Sequence, residues 1–177
     1  PWSKNELIQY ERELEKAPDK LTGHAFFHNW VVNTPMETGI ADSSKAFQAL
    51  ETAKKYGNPF GVYVTGIDRK SNEEVAEGLA AKKQKESFNY VGAVMTLPTG
   101  VQAMAEIQYG RPDEALNYLH MLHRSFSYAA PGSMYEVSPD YGMLVQAWNI
   151  YGVARPVING FFGIQPMAHL EQIIIDP

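Results

Sequence analysis

Apolar residues recur at helical spacing along much of this chain, and Gly and Pro punctuate the recurrences. Ser3 and Glu6 form a capping box ahead of a stripe of Leu7, Tyr10 and Leu14, and Pro18 closes that predicted helix. Phe26, Phe27, Trp30, Val31 and Val32 predict a short helix ending near Asn33, followed by an ordered loop. Asp42 or Ser43 then caps a clearer helix with Ala46, Phe47, Ala49, Leu50 and Ala53 on its apolar face, stopped by Gly57 and Pro59. Phe60, Val62 and Val64 alternate with Gly61, Tyr63 and Thr65, the period of an extended segment. Residues 68–86 are charged and weakly patterned, as in an exposed helix or a surface excursion.

The second half is more strongly patterned. Residues 96–108 predict an apolar helix with Pro98 in its first turn and Gly110 beyond its end. Pro112 opens its partner at once, with Asp113 and Glu114 at the positive end of the helix dipole and His123 and Arg124 at the negative end. Leu116, Leu119, Leu122 and Phe126 are the predicted inward face, and the short connection makes an αα-hairpin. Residues 142–162 predict a last helix that is apolar all round and therefore buried on every side. The end, from Glu171 to Ile175, is strand-like. The implied fold class is all-α: helical hairpins in two layers, a short extended segment, and a strand-like tail.

Composition narrows the functional classes. At 177 residues, 45% hydrophobic and 20% charged, the chain has the make-up of one globular domain. A net charge of −5 without a basic block argues against a nucleic-acid partner. The absence of cysteine excludes disulfides and thiolate metal sites, and fits a secreted or periplasmic protein slightly better than a cytosolic one. Residues 141–163 are the only stretch long enough to span a membrane, but Gln146, Asn149, Arg155, Pro156 and Asn159 interrupt it, so no membrane partner is expected. Pro1 is not an initiator residue, which makes the chain a processed or excised piece.

Candidate chemistry centres on Glu136, in a run of turn-formers from Pro131 to Gly142 just ahead of the predicted last helix. A carboxylate at the mouth of an apolar element can gain basicity as water is excluded. The competing reading is a carboxylate that accepts hydrogen bonds from that helix's first amides. Glu37, between Pro35 and Gly39 in a predicted loop, is a candidate for binding hydroxyl groups, or else an ordinary surface carboxylate. Trp30, Tyr135 and Trp148 are candidates for stacking on a pyranose ring, or for plain core packing. Gln146 and Asn149 lie one turn apart and would face the site or satisfy buried backbone. Asp42 reads as a helix cap, and Asp140 as a cap or a support for Glu136. His24 and His28 have a spacing that can bind metal, but no third ligand is in register; His120 and His123 answer a helix dipole, so no metal site is expected.

Several of these segments resemble a known architecture. Residues 29–42, 92–100 and 109–116 are similar to the closing half of an (α/α)6-barrel glycoside hydrolase. The run Gly-Ser-Met-Tyr-Glu-Val-Ser-Pro-Asp-Tyr-Gly at 132–142, with the residues that follow it to Asn149, resembles the glutamate-loop-helix of glycogen-debranching-like, glucosidase and rhamnosidase families. The resemblance implies half of an (α/α)6 toroid over residues 1–166 and an exit segment, 167–177, toward a C-terminal β-domain. It implies an inverting enzyme acting on an oligosaccharide, with Glu136 as general base and the general acid in a missing upstream half. No cofactor is required. The partner is that missing half or a self-association partner, and the isolated chain is expected to be inert. The alternative is a non-catalytic helical module that binds glycans through Trp30, Trp148 and nearby tyrosines, or binds another protein through an apolar face.

Overall fold

A computed structural model describes residues 26–67, 94–138 and 142–177. The helix expected over Ser3 to Pro18, His24, the charged stretch at 68–86 and Asp140 lie outside those residues. In chain order come β1 (Phe26–His28), α1 (Asn29–Glu37), α2 (Ser43–Ala53), β2 (Gly57–Asn58), β3 (Gly61–Val62), β4 (Thr65–Ile67) and β5 (Val94–Met95). There follow α3 (Thr96–Gln108), α4 (Pro112–His123), β6 (Val137–Ser138), α5 (Ala147–Arg155), a π-helical segment (Pro156–Phe161), β7 (Ile164–Met167) and β8 (Gln172–Ile175). The strands pair antiparallel as β1–β4, β2–β3, β5–β6 and β7–β8.

This corrects the all-α expectation. The described chain is mixed, with helices interleaved with four two-stranded sheets, and it is not an (α/α)6 toroid. The reason is local. Pairs such as Gly57–Asn58 with Gly61–Val62 close tight hairpins too short to give a periodicity signal in the sequence. The partners β5 and β6 lie far apart in the chain, so nothing in either segment alone announces their pairing.

The helix α3 is the hub. Every residue from Thr96 to Glu106 is buried, and α1, α4, α5 and the π-helical segment all pack against it. On one side Met36, Ala46, Leu50 and Ala105 form a cluster; on another Val62, Ala103, Ala115 and Tyr118 do so. The capping residue of α2 is Asp42, whose Oδ1 accepts from the amides of Ser44 (3.1 Å) and Lys45 (3.2 Å). Those hydrogen bonds, led by the Ser44 hydroxyl, hold its carboxyl below the usual range.

Three further expectations change. The helix α1 does not stop near Asn33 but runs to Glu37 with Pro35 inside it. Its end is a Schellman turn, with Gly39 N–H donating to Met36 and Ile40 N–H to Pro35, each at 3.0 Å. The face that α4 buries is Ala115, Tyr118 and Leu122, while Leu116 and Phe126 are exposed. The last helix begins only at Ala147, and of its residues Asn149 and Gly152 alone are buried. Trp148, Ile150, Tyr151, Ile158 and Phe162 face outward, so the segment is not enclosed. Pro156 has no N–H to give, and the backbone widens there into the π-helical segment.

The α3–α5 crossing is a close backbone approach. A Cβ added at Gly100 would lie 2.2 Å from both Cα and O of Gly152. Helix propensity alone would favour Gly100→Ala by about 1 kcal/mol, but this clash cannot relax through a side-chain rotation. Gly100→Ala should therefore lower stability by about 1–3 kcal/mol in urea denaturation; a stabilised variant would contradict the crossing.

Candidate functional site

Tyr135 and Glu136 enter β6 directly from the loop, and β6 pairs with β5 through Met95↔Val137 and Val94↔Ser138. Because α3 starts at the residue after β5, its first turn is delivered to the same place. Thr96 N–H donates to the Glu136 carbonyl at 3.1 Å. The Thr96 hydroxyl donates to the Tyr135 carbonyl at 2.7 Å, and Asn149 Nδ2 donates to that same oxygen at 2.9 Å. Two buried side chains from two helices thus hold the peptide group just ahead of Glu136.

The other side of Glu136 is tied to the turn that follows. Glu136 N–H donates to the Met143 carbonyl at 2.9 Å, and Met143 N–H donates to Glu136 Oε2 at 3.1 Å. This loop amide lies four residues ahead of α5, so the carboxylate is not a cap on the helix terminus. Among the described residues Oε1 has no hydrogen-bond partner. Glu136 is half-buried, with Oε2 anchored. Gly142 makes this possible: its φ is +53°, and a Cβ there would sit 2.5 Å from Glu136 Oε2.

The remaining predicted residues divide. Tyr135 is buried and contributes its clamped carbonyl. Gln146 is half-buried at the N-cap of α5, its carbonyl accepting from Asn149 N–H at 3.0 Å, while its Oε1 is buried without a partner. Trp148 is 51% exposed on the first turn of α5. Trp30 lies in the first turn of α1. Glu37 belongs to a second cluster. It is the last residue of α1, not a loop residue, and its Oε1 accepts from Tyr151 Oη (2.9 Å) and Arg155 Nη1 (2.7 Å).

Thr96, Gly142, Tyr151 and Arg155 were not among the predicted site residues. Arg155 had a signal, being the only charge between Met143 and Phe162. Thr96 had none, since its role depends on a strand pairing. A surface cleft of about 400 Å3 lies elsewhere, lined by Lys54, Asn58, Glu114, Tyr118 and Arg124 among others, and it includes none of the predicted residues. Its cations are engaged: Lys54 with Glu114 at 2.6 Å, and Arg124 with the Pro59 carbonyl at 2.6 Å. Among the described residues no His, Asp and Glu group could hold a metal, and no helix is long and apolar enough to cross a membrane. Comparison with protein-family models, curated proteins and solved structures gives no match.

Two measurements probe this geometry. Gly132 also has positive φ (+70°), but nothing lies within 4 Å of a Cβ added there, so it isolates backbone strain. Gly132→Ala should cost about 1–2 kcal/mol, and Gly142→Ala distinctly more; equal losses would argue against contact between the turn and the carboxylate. The second concerns Glu37, whose carboxyl burial pushes up from 4.5 against the pull of Arg155. The folded chain then holds this proton more tightly than the unfolded one. Glu37 therefore contributes most below the unfolded value, and less as pH rises through the folded one. The melting temperature of the native chain relative to Glu37→Gln should be higher at pH 5 than at pH 8; a gap that widens toward pH 8 would contradict the sign.

Proposed function

We propose that this chain carries the general-base portion of an inverting glycoside hydrolase acting on an oligosaccharide. The supporting observation is the state of Glu136: both adjoining peptide groups are fixed, one carboxylate oxygen is anchored by the Met143 amide, and the other has no hydrogen-bond partner among the described residues. A base must hold its direction while leaving an oxygen for water.

In this reading Glu136 takes a proton from a water molecule as the water oxygen bonds to the anomeric carbon. The glycosidic C–O bond breaks on the opposite face, and the departing oxygen takes a proton from a general acid. Inversion requires the two carboxyl groups to stand roughly 6.5–9.5 Å apart, leaving room for the water. The acid is assigned to polypeptide outside this chain, and the isolated chain would be inert. No cofactor enters the reaction. Tyr135, Gln146, Trp148, Trp30 and Glu37 are the candidate substrate contacts.

A second reading has its own support. Ile150, Ile158, Phe162, Ile173 and Ile175 are between 43% and 70% exposed, apolar side chains of the kind an interaction surface presents. It fits a non-catalytic module that binds another protein, and it equally fits a catalytic portion covered by the polypeptide that supplies the acid. Mutation separates the two. In the full polypeptide carrying this chain, Glu136→Gln should lower kcat by about 10²–10⁴-fold with little change in sugar affinity. Near-normal turnover would falsify the base assignment.

A further inference from the structure

Glu37 is 94% buried, since its residue exposure is 6%, yet the groups that engage it are not buried. Tyr151 is 42% exposed, and the Arg155 side chain 27%. The Arg155 guanidinium carbon stands 5.3 Å from the centroid of the Tyr151 ring, and Arg155 also donates to the Tyr151 hydroxyl. Both contacts to Glu37 fall on Oε1, so among the described residues Oε2 is open to a further donor. Trp148 lies three residues before Tyr151 and seven before Arg155, which sets all three on one flank of α5.

An ion pair that only fastened α1 to α5 would not need an exposed tyrosine ring against it and an exposed tryptophan one turn back on the same flank. Enclosing Glu37 also works against the charged form, and such a pair is weak support for a fold. Flat apolar rings next to a few fixed polar groups are instead the surface that a sugar recognises. Ring C–H faces stack on the aromatics, and hydroxyls donate to a carboxylate and accept from a guanidinium.

We propose that Trp148, Tyr151, Arg155 and Glu37 form a sugar-binding subsite for a neutral pyranose unit, at a distance from Glu136. The proposal rests on the glycoside hydrolase reading and extends it. Neutrality follows from the cluster itself: Glu37 already balances Arg155, and an acidic sugar would meet a carboxylate. Extension follows from the helix. From Trp148 to Arg155 the axis advances roughly 10 Å at 1.5 Å per residue, away from the turn that holds Glu136. A substrate that reaches both Glu136 and Arg155 would need more than one sugar ring.

Binding to the 177-residue chain tests this directly, by calorimetry and tryptophan fluorescence with maltotriose, cellotriose and mannotriose, and with glucuronic acid as the charged comparison. At least one neutral trisaccharide should bind with Kd of about 1 mM, and glucuronic acid should not. Trp148→Ala, a change at an exposed position, should weaken binding at least about tenfold, as should Arg155→Met; Glu136→Gln should bind like the native chain. The subsite is overturned if none of the three binds at ten times that Kd, or if Trp148→Ala in a chain of native circular dichroism binds unchanged. Normal sugar binding beside full turnover of Glu136→Gln would support the subsite while removing the base, so the two claims fail separately.

Discussion

The carbonyl oxygen of Tyr135 is where three parts of this protein meet. Thr96, at the start of the central helix, and Asn149, in the last helix, both donate to it, and it belongs to the loop that delivers Glu136. Such a carbonyl would be costly to bury unpaired; doubly paired, it joins α3, α5 and the β5–β6 ladder in one arrangement. The close contact of Gly100 with Gly152 brings α5 near enough for Asn149 to reach. Glu136 thus takes its place from the packing of the core, not from the loop alone.

The core that sets this geometry is unusually polar. Asn29, Asn33 and Glu37 are spaced four apart on α1 and are all buried, as are Thr99, Gln102 and Glu106 on α3. Glu106 is paired with Arg111 at 2.9 Å, yet burial still raises its carboxyl, with the Gln102 hydrogen bond and Arg111 pulling the other way. Cores built to fold with least cost avoid such groups.

Much of the helical framework was legible in the sequence. The bounds 96–108, the opening of α4 at Pro112 and the Asp42 cap all follow from apolar spacing and end signals, because those signals act within a few residues. What could not be read depends on distance along the chain. The start of α5 moves from Gly142 to Ala147 because Glu136, ten or so residues earlier, captures the backbone of Met143. The outward flank of α5 was read as buried because apolar character reports what avoids water, not what is at hand to cover it. The first helix runs past Asn33 and through Pro35 to Glu37. Losing one hydrogen bond near the end of α1 is offset by the burial of Met36 and by the turn that closes the helix at Gly39. Of the site, Glu136 stands out by its turn-forming neighbours and Asn149 as a donor to buried backbone, whereas the partner that Asn149 shares with Thr96 requires the fold to be known.

In the proposed mechanism Glu136 activates water rather than attacking the sugar itself. The most direct check is proton NMR of the anomeric signal during the first turnovers of the full polypeptide, before the released sugar mutarotates. Activation of water predicts that the first-formed product has the anomeric configuration opposite to the substrate's. A product that retains the configuration would contradict the account, since it requires a covalent intermediate and a carboxylate acting as nucleophile.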